Sequence, residues 1–145
     1  MGKPVTHTHE QIAAVLEQAY ATLEFAPGDQ PNWERFMAVF DPRAVLALRV
    51  FPGDPAISVM GLADYAREQM REGLSDEGYS ETPGELVLEV IGDVAVAKQE
   101  FSMNFANGSV EAVDVFSLVR SSGDWRVVAV VSDVVGGAAG TSDPY

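Results

Sequence analysis

Asp114 stands in VEAVDVFSLVR, between Val113 and Val115, in a stretch otherwise built for burial. Burial disfavours a charged carboxylate, so an acid in such a place needs a reason. It can be neutral and donate a hydrogen bond to a ligand oxygen. It can be ionised and paired with Arg49. It can act as a general acid or base on a bound molecule. It can also be purely structural, bonded to a tyrosine, a tryptophan N–H or backbone. Tyr20, in EQAYATL, is the second candidate, because its hydroxyl can reach the same spot from an apolar helix face.

The rest of the composition narrows the chemistry. The chain has 145 residues and no cysteine, which excludes disulfides, thiolate metal sites and thiol nucleophiles. Its two histidines, His7 and His9, both fall in the leading HTHE segment, read as part of a tail over residues 1–7 and its edge. The commonest general base and metal ligand is therefore missing from the domain proper, and neither a metal nor another cofactor is expected. A net charge of −13 repels nucleic acid and anionic lipid, so neither is an expected partner. The absence of a secretory signal, of a long apolar run and of cysteine fits a cytoplasmic protein.

The elements that must position these residues follow from periodicity. Ile12, Leu16, Ala19, Tyr20 and Leu23 form one helical stripe, with Thr8 and Gln11 as a capping box. PGDQP ends that helix and NWERFMAVF starts a short second one. AVLALRVF and AISVMG read as strands around a PGDP turn, and LADYAREQMREGL as a third helix. After Gly78 the pattern becomes four strands: ELVLEVI, VAVAKQEFSMNF, SVEAVDVFSLVR and WRVVAVVSDVV. Turns are expected at Gly92–Asp93, at Asn107–Gly108 and in SSGD. The expected fold is α+β: one domain over residues 8–135 and a flexible tail over 136–145. Strands this long must curl, and helices on the concave face leave an internal pocket.

Alternation puts Asp114 on one face with Ala112, Phe116 and Leu118, and Val113, Val115 and Val119 on the other. In the last strand it puts Val128 and Val130 together, opposite Val127, Ala129 and Val131. Both faces are thus largely apolar. The helices cover one, and a second copy of the chain, as a homodimer, is expected on the outer one. A partly exposed valine-rich sheet is the alternative.

The helix stripe, WERFMAVFDPRAVL, GDVAVA, VDVFSLVR and GDWRVV together resemble the nuclear transport factor 2-like superfamily, over about residues 8 to 135. Its members include SnoaL-like polyketide cyclases, ketosteroid isomerase and limonene epoxide hydrolase. The resemblance implies a cone-like fold: a curved antiparallel or mixed sheet wrapped around about three helices, with an internal pocket, commonly dimerised through the sheet. It places Tyr20 and Asp114 where the isomerase has the tyrosine and protonated aspartic acid of its oxyanion hole, the handling of a neutral acid being a known pattern. The place of the isomerase's general base on the first strand holds Leu48, with Arg49 next to it. Scytalone-dehydratase-like members use pocket histidines, which this domain lacks. The arginine that the epoxide hydrolase carries two residues before its strand aspartate is here Ala112.

Asp114 and Tyr20 are therefore the candidate catalytic residues. Trp33, Phe36, Phe40, Leu48, Arg49, Tyr65, Phe101, Met103, Phe105 and Phe116 are the candidate lining of an apolar pocket, with core filling as the alternative for the aromatic and methionine side chains. The expected ligand is a small hydrophobic, oxygen-bearing molecule, handled by cofactor-free acid–base chemistry of the cyclase, isomerase or dehydratase kind. The rival expectation is an interaction module whose pocket is packed core.

Overall fold

The computed structural model describes residues 3–70 and 74–137. The elements run α1 (Lys3–Leu23), α2 (Trp33–Met37), β1 (Phe40–Leu48), β2 (Ser58–Met60), α3 (Leu62–Gln69), α4 (Leu74–Glu77), β3 (Ser80–Ile91), β4 (Val94–Phe105), β5 (Gly108–Ser121) and β6 (Asp124–Gly137). One six-stranded sheet has the order β2-β1-β6-β5-β4-β3. The last four strands form an antiparallel meander, and β6 closes back in parallel on β1, so the sheet is mixed.

The α1 stripe is buried as its spacing requires: Ile12, Leu16, Ala19, Tyr20 and Leu23 are all in the core. The helix begins at Lys3, upstream of Thr8, so residues 3–7 are helical where a tail and a Thr8 cap were expected. Most of the remaining expected tail, residues 138–145, lies outside the described residues. Asn32 caps α2 instead, its side-chain oxygen accepting from the Arg35 amide at 3.1 Å.

The hairpins are tight. Gly92–Asp93 joins β3 to β4, with Gly92 at φ 59, the positive value demanded at the first central position of a two-residue turn. The β4–β5 turn is Ala106–Asn107, one residue earlier than expected, because Phe105 pairs directly with Gly108. Ser122–Gly123 joins β5 to β6. The buried Trp125 at that end lies under the Arg120 guanidinium, 5.4 Å from the ring centre.

Two irregularities decide which side chains face inward. In β3 the strand starts at Ser80, five residues before the expected Glu85, and runs through Pro83 and Gly84. Pro83 is tolerated because β3 is an edge strand and one side of its backbone needs no partner. The register slips between Pro83 and Leu86, and the buried Gln99 amide repairs the slip. Its Nε2 donates to the carbonyls of Gly84, Glu85 and Glu100 at 2.9–3.0 Å. In β6 the partners of Ser117 and Leu118 are Ala129 and Val127, which leaves Val128 as an unpaired bulge. Alternation is thereby broken: Val127 and Val130 are both buried, against the expected separation of those two residues, and Ser132 turns inward. A second slip, at Val135, restores the phase.

The inner face of the sheet packs on the helices. The outer face carries exposed Val87, Ile91, Val94, Val96, Val115 and Val131. Among the described residues no helix is long and apolar enough to cross a membrane.

Candidate functional site

Asp114 lies on the inner face of β5 between Ala112 and Phe116, and only 8% of its surface is exposed. The Tyr20 hydroxyl donates to Asp114 Oδ2 at 2.6 Å, and the Ser132 side chain, close by, also favours the ionised carboxylate. Ser132 is the residue paired with Asp114 across β5–β6, brought inward by the Val128 bulge. Tyr20 reaches the sheet from α1 because it lies on the apolar stripe, with its ring held by Phe101 at 5.5 Å and edge-on by Phe116 at 6.0 Å.

A cavity of about 50 Å³ opens beside this pair. It is lined by Tyr20, Phe36, Phe40, Leu48, Arg49, Tyr65, Phe101, Met103, Asp114 and Phe116, ten of the twelve side chains singled out in the sequence. Two stand elsewhere. Trp33 packs edge-on behind Phe36 and Tyr65, at 5.6 and 6.2 Å. Phe105 lies against Tyr79 and Phe51, near the β4–β5 turn. The volume is about a third of the ~150 Å³ apolar cavity that accepts benzene, so the hollow as it stands suits a few waters or a very small molecule. A ring-sized ligand enters only if lining side chains rotate, and Met103 is the most adaptable of them.

Arg49 does not pair with Asp114. Its Nη1 donates to Asp133 Oδ1 at 2.7 Å and its Nε to the Asp54 carbonyl at 3.0 Å. This ion pair is partly exposed and lines the cavity, so it marks the side on which the hollow approaches solvent. Among the described residues, the interior therefore holds an acid with no cationic side chain bonded to it.

It also holds a second acid that periodicity did not reveal. Glu81, on β3, lines the same cavity. The residue as a whole is only half-buried, yet its carboxyl accepts a short hydrogen bond from the Tyr79 hydroxyl. Tyr79 is fixed by a backbone bridge to Phe25, just after α1, with N–O distances of 3.0 and 3.1 Å. Gly78 makes that approach possible: it sits at φ 78, and a Cβ there would meet Pro27 Cδ at 3.0 Å. The signal for Glu81 was present in β4. Gln99 falls on the buried face with Ala95, Ala97, Phe101 and Met103, and a buried amide needs carbonyls on a neighbouring strand.

Burial sets the electrostatics of both acids. It pushes the Asp114 carboxyl up to about 6, while the bonds from Tyr20 and Ser132 pull it part of the way back. Burial and then repulsion by Asp114 push Glu81 up to about 8, against the bond from Tyr79. The two release their protons as a pair, in two steps. The hydroxyls of Tyr20, Tyr65 and Tyr79 are all raised, by burial first and then by these carboxylates, so they remain donors. Among the described residues no cluster of three metal-ligating side chains occurs.

No family model matches the sequence, and no curated protein matches it. The similarity lies in structure. An NTF2-like protein with a cystatin-like fold from Novosphingobium aromaticivorans superposes with a TM-score of 0.71 at 18% identity, covering 94% of this chain and 87% of its own. An NTF2-like protein of unknown function from Pseudomonas putida gives 0.71 at 13% identity, covering 92% and 91%. A second Novosphingobium aromaticivorans protein, provisionally named a scytalone dehydratase, gives 0.71 at 11% identity, covering 93% and 89%. At such identities the likeness shows fold and not activity. The α+β architecture and the mixed curved sheet are those of the nuclear transport factor 2-like, cystatin-like fold, and this chain has that fold.

Proposed function

We propose that the domain binds a small, oxygen-bearing molecule in the cavity beside Asp114 and acts on it by acid–base chemistry without a cofactor. The observation that carries this reading is a buried carboxylate which faces a cavity, is oriented by Tyr20 and, among the described residues, has no cationic side chain bonded to it. Such a group is poised to exchange a proton near neutral pH. The cavity wall supplies apolar contact from Phe36, Phe40, Phe101 and Phe116. The resemblance to a protein provisionally named a dehydratase is compatible with proton-transfer chemistry, although no histidine lines this cavity. The lack of cysteine fits work in the cytoplasm.

The test is ligand-observed NMR with acetone, the smallest ketone, on the wild-type protein and on Asp114→Asn. Saturation transfer to acetone in the wild type, lost in the variant, supports the reading. No transfer in the wild type, or equal transfer in both, overturns it.

A second reading rests on the outer face of the sheet. Val87, Ile91 and Val131 are each more than half exposed there. Uncharged area of this kind on a chain of net charge −13 is where two copies can approach without repulsion. Exposed Lys98 lies on the same face as exposed Glu89 and Glu100, so a two-fold axis can set unlike charges against each other. The occupant we propose for this face is a second copy of the chain. A dimer is compatible with the ligand reading. It becomes the whole function only if the cavity proves to be inert.

A further inference from the structure

We propose that Glu81 is the second catalytic residue of this cavity, giving a proton to a carbonyl oxygen of the ligand while Asp114 takes one from the carbon beside it. The inference rests on the reading of the cavity as a ligand site, and it names the substrate class: small carbonyl compounds with an acidic α C–H bond.

Two carboxyl groups, from β3 and β5, line one small cavity. Each is held by its own tyrosine, Glu81 by Tyr79 from just before β3 and Asp114 by Tyr20 from α1. The other charged groups nearby are Arg49 and Asp133, which pair with each other. Tyr65 reaches the cavity from α3. Two buried carboxylates without a shared cation do not both ionise, so one proton stays on the pair. Each acid accepts a bond from its tyrosine, and Asp114 is further favoured as the anion by the neighbouring Ser132. The proton therefore resides on Glu81, which becomes the donor, and Asp114 becomes the acceptor. Unlike environments for two neighbouring acids are what divide them into acid and base. This gives Asp114 the opposite role to the neutral donor that the resemblance implies.

The step balances. The α C–H bond breaks, its proton goes to the Asp114 carboxylate, and its electron pair forms the C=C bond of the enol. The C=O π pair takes the proton of the Glu81 carboxyl. Asp114 is left protonated and Glu81 ionised, and the reverse transfer restores both.

The experiment follows exchange of the methyl protons of acetone in D₂O by NMR, beside its binding by saturation transfer. Wild-type protein is expected to accelerate exchange, with a bell-shaped pH profile whose limbs lie near 6 and 8. Glu81→Gln is expected to lower the rate by about 100-fold, within the usual range for a general acid. Should Glu81→Gln fail to fold, Tyr79→Phe carries the test. It removes the bond that holds the Glu81 carboxylate and shifts the upper limb to higher pH. A purely structural Glu81 would change the melting temperature and leave that limb where it was. Binding without exchange, exchange undiminished in Glu81→Gln, or an upper limb unmoved in Tyr79→Phe each overturns the proposal, and the ligand reading survives all three. Absence of binding overturns both.

Discussion

Tyr20 and Asp114 lie 94 residues apart in sequence and 2.6 Å apart in space, the hydroxyl of the first helix donating to the carboxylate of the fifth strand. This bond ties α1 to the middle of the sheet and orients the acid at the cavity wall. Replacing Tyr20 by Phe removes the donor and leaves a buried carboxylate short of one partner. We expect a loss of roughly 1–3 kcal/mol in denaturant unfolding and a further rise of the Asp114 pKa, read by carboxyl ¹³C NMR. An unchanged titration would show that the bond does not matter to the acid.

The pH dependence of stability has an unusual sign. Both acids have folded-state pKa values raised above their ordinary values of 3.8 and 4.5. Between the ordinary and the raised value the folded state binds more protons, so stability falls as pH rises. Asp114 acts from about 4 to 6 and Glu81 from about 4.5 to 8. Melting temperature should therefore decline from mildly acid pH towards 8, and the double replacement Asp114→Asn, Glu81→Gln should flatten that decline. A curve of the same slope in the variant would remove the two residues from the explanation.

Gln99 makes three bonds to main-chain carbonyls, those of Gly84 and Glu85 at the β3 slip and that of Glu100 next to it in β4. Gln99→Leu keeps the volume and removes all three. The expected cost is about 2–4 kcal/mol, with hydrogen exchange accelerated selectively over residues 80–86. Uniform acceleration over the whole sheet would mean that the amide does not secure the local register.

On the outer face, Val96→Lys places a charge among Val87, Ile91, Val94 and Val115. Light scattering after gel filtration should give twice the chain mass for the wild type and the single-chain mass for the variant. A wild-type protein of single-chain mass at high micromolar concentration would exclude the second copy.

Much of this site was legible before any coordinates. Tyr20 was found because a helix repeats every three to four residues, and Asp114 because a strand alternates. Neither rule needs to know what lies across the sheet. Glu81 and Ser132 escaped because both depend on broken periodicity. SETPG reads locally as a turn, and only the edge position of β3 and the amide of Gln99 make it a strand. Ser132 faces Asp114 only because Val128 bulges, and bulges arise from the register between two strands rather than from either strand alone. Arg49 shows a related limit. Its position beside the cavity followed from the chain, but its choice of Asp133 over Asp114 is a matter of three-dimensional reach.

The paired slips at Val128 and Val135 enclose a window in β6 that runs out of phase with the rest of the strand, much as a compensated frameshift leaves a stretch of altered codons. Ser132 and Asp133 fall within it. Were Val128 drawn into the ladder opposite Ser117, the serine would turn outward and Asp133 would fall on the inner face opposite Ala112, while every strand kept its sequence. The register of one strand is thus enough to rewrite the interior chemistry of this domain, which offers an economical route by which one scaffold can come to host different reactions.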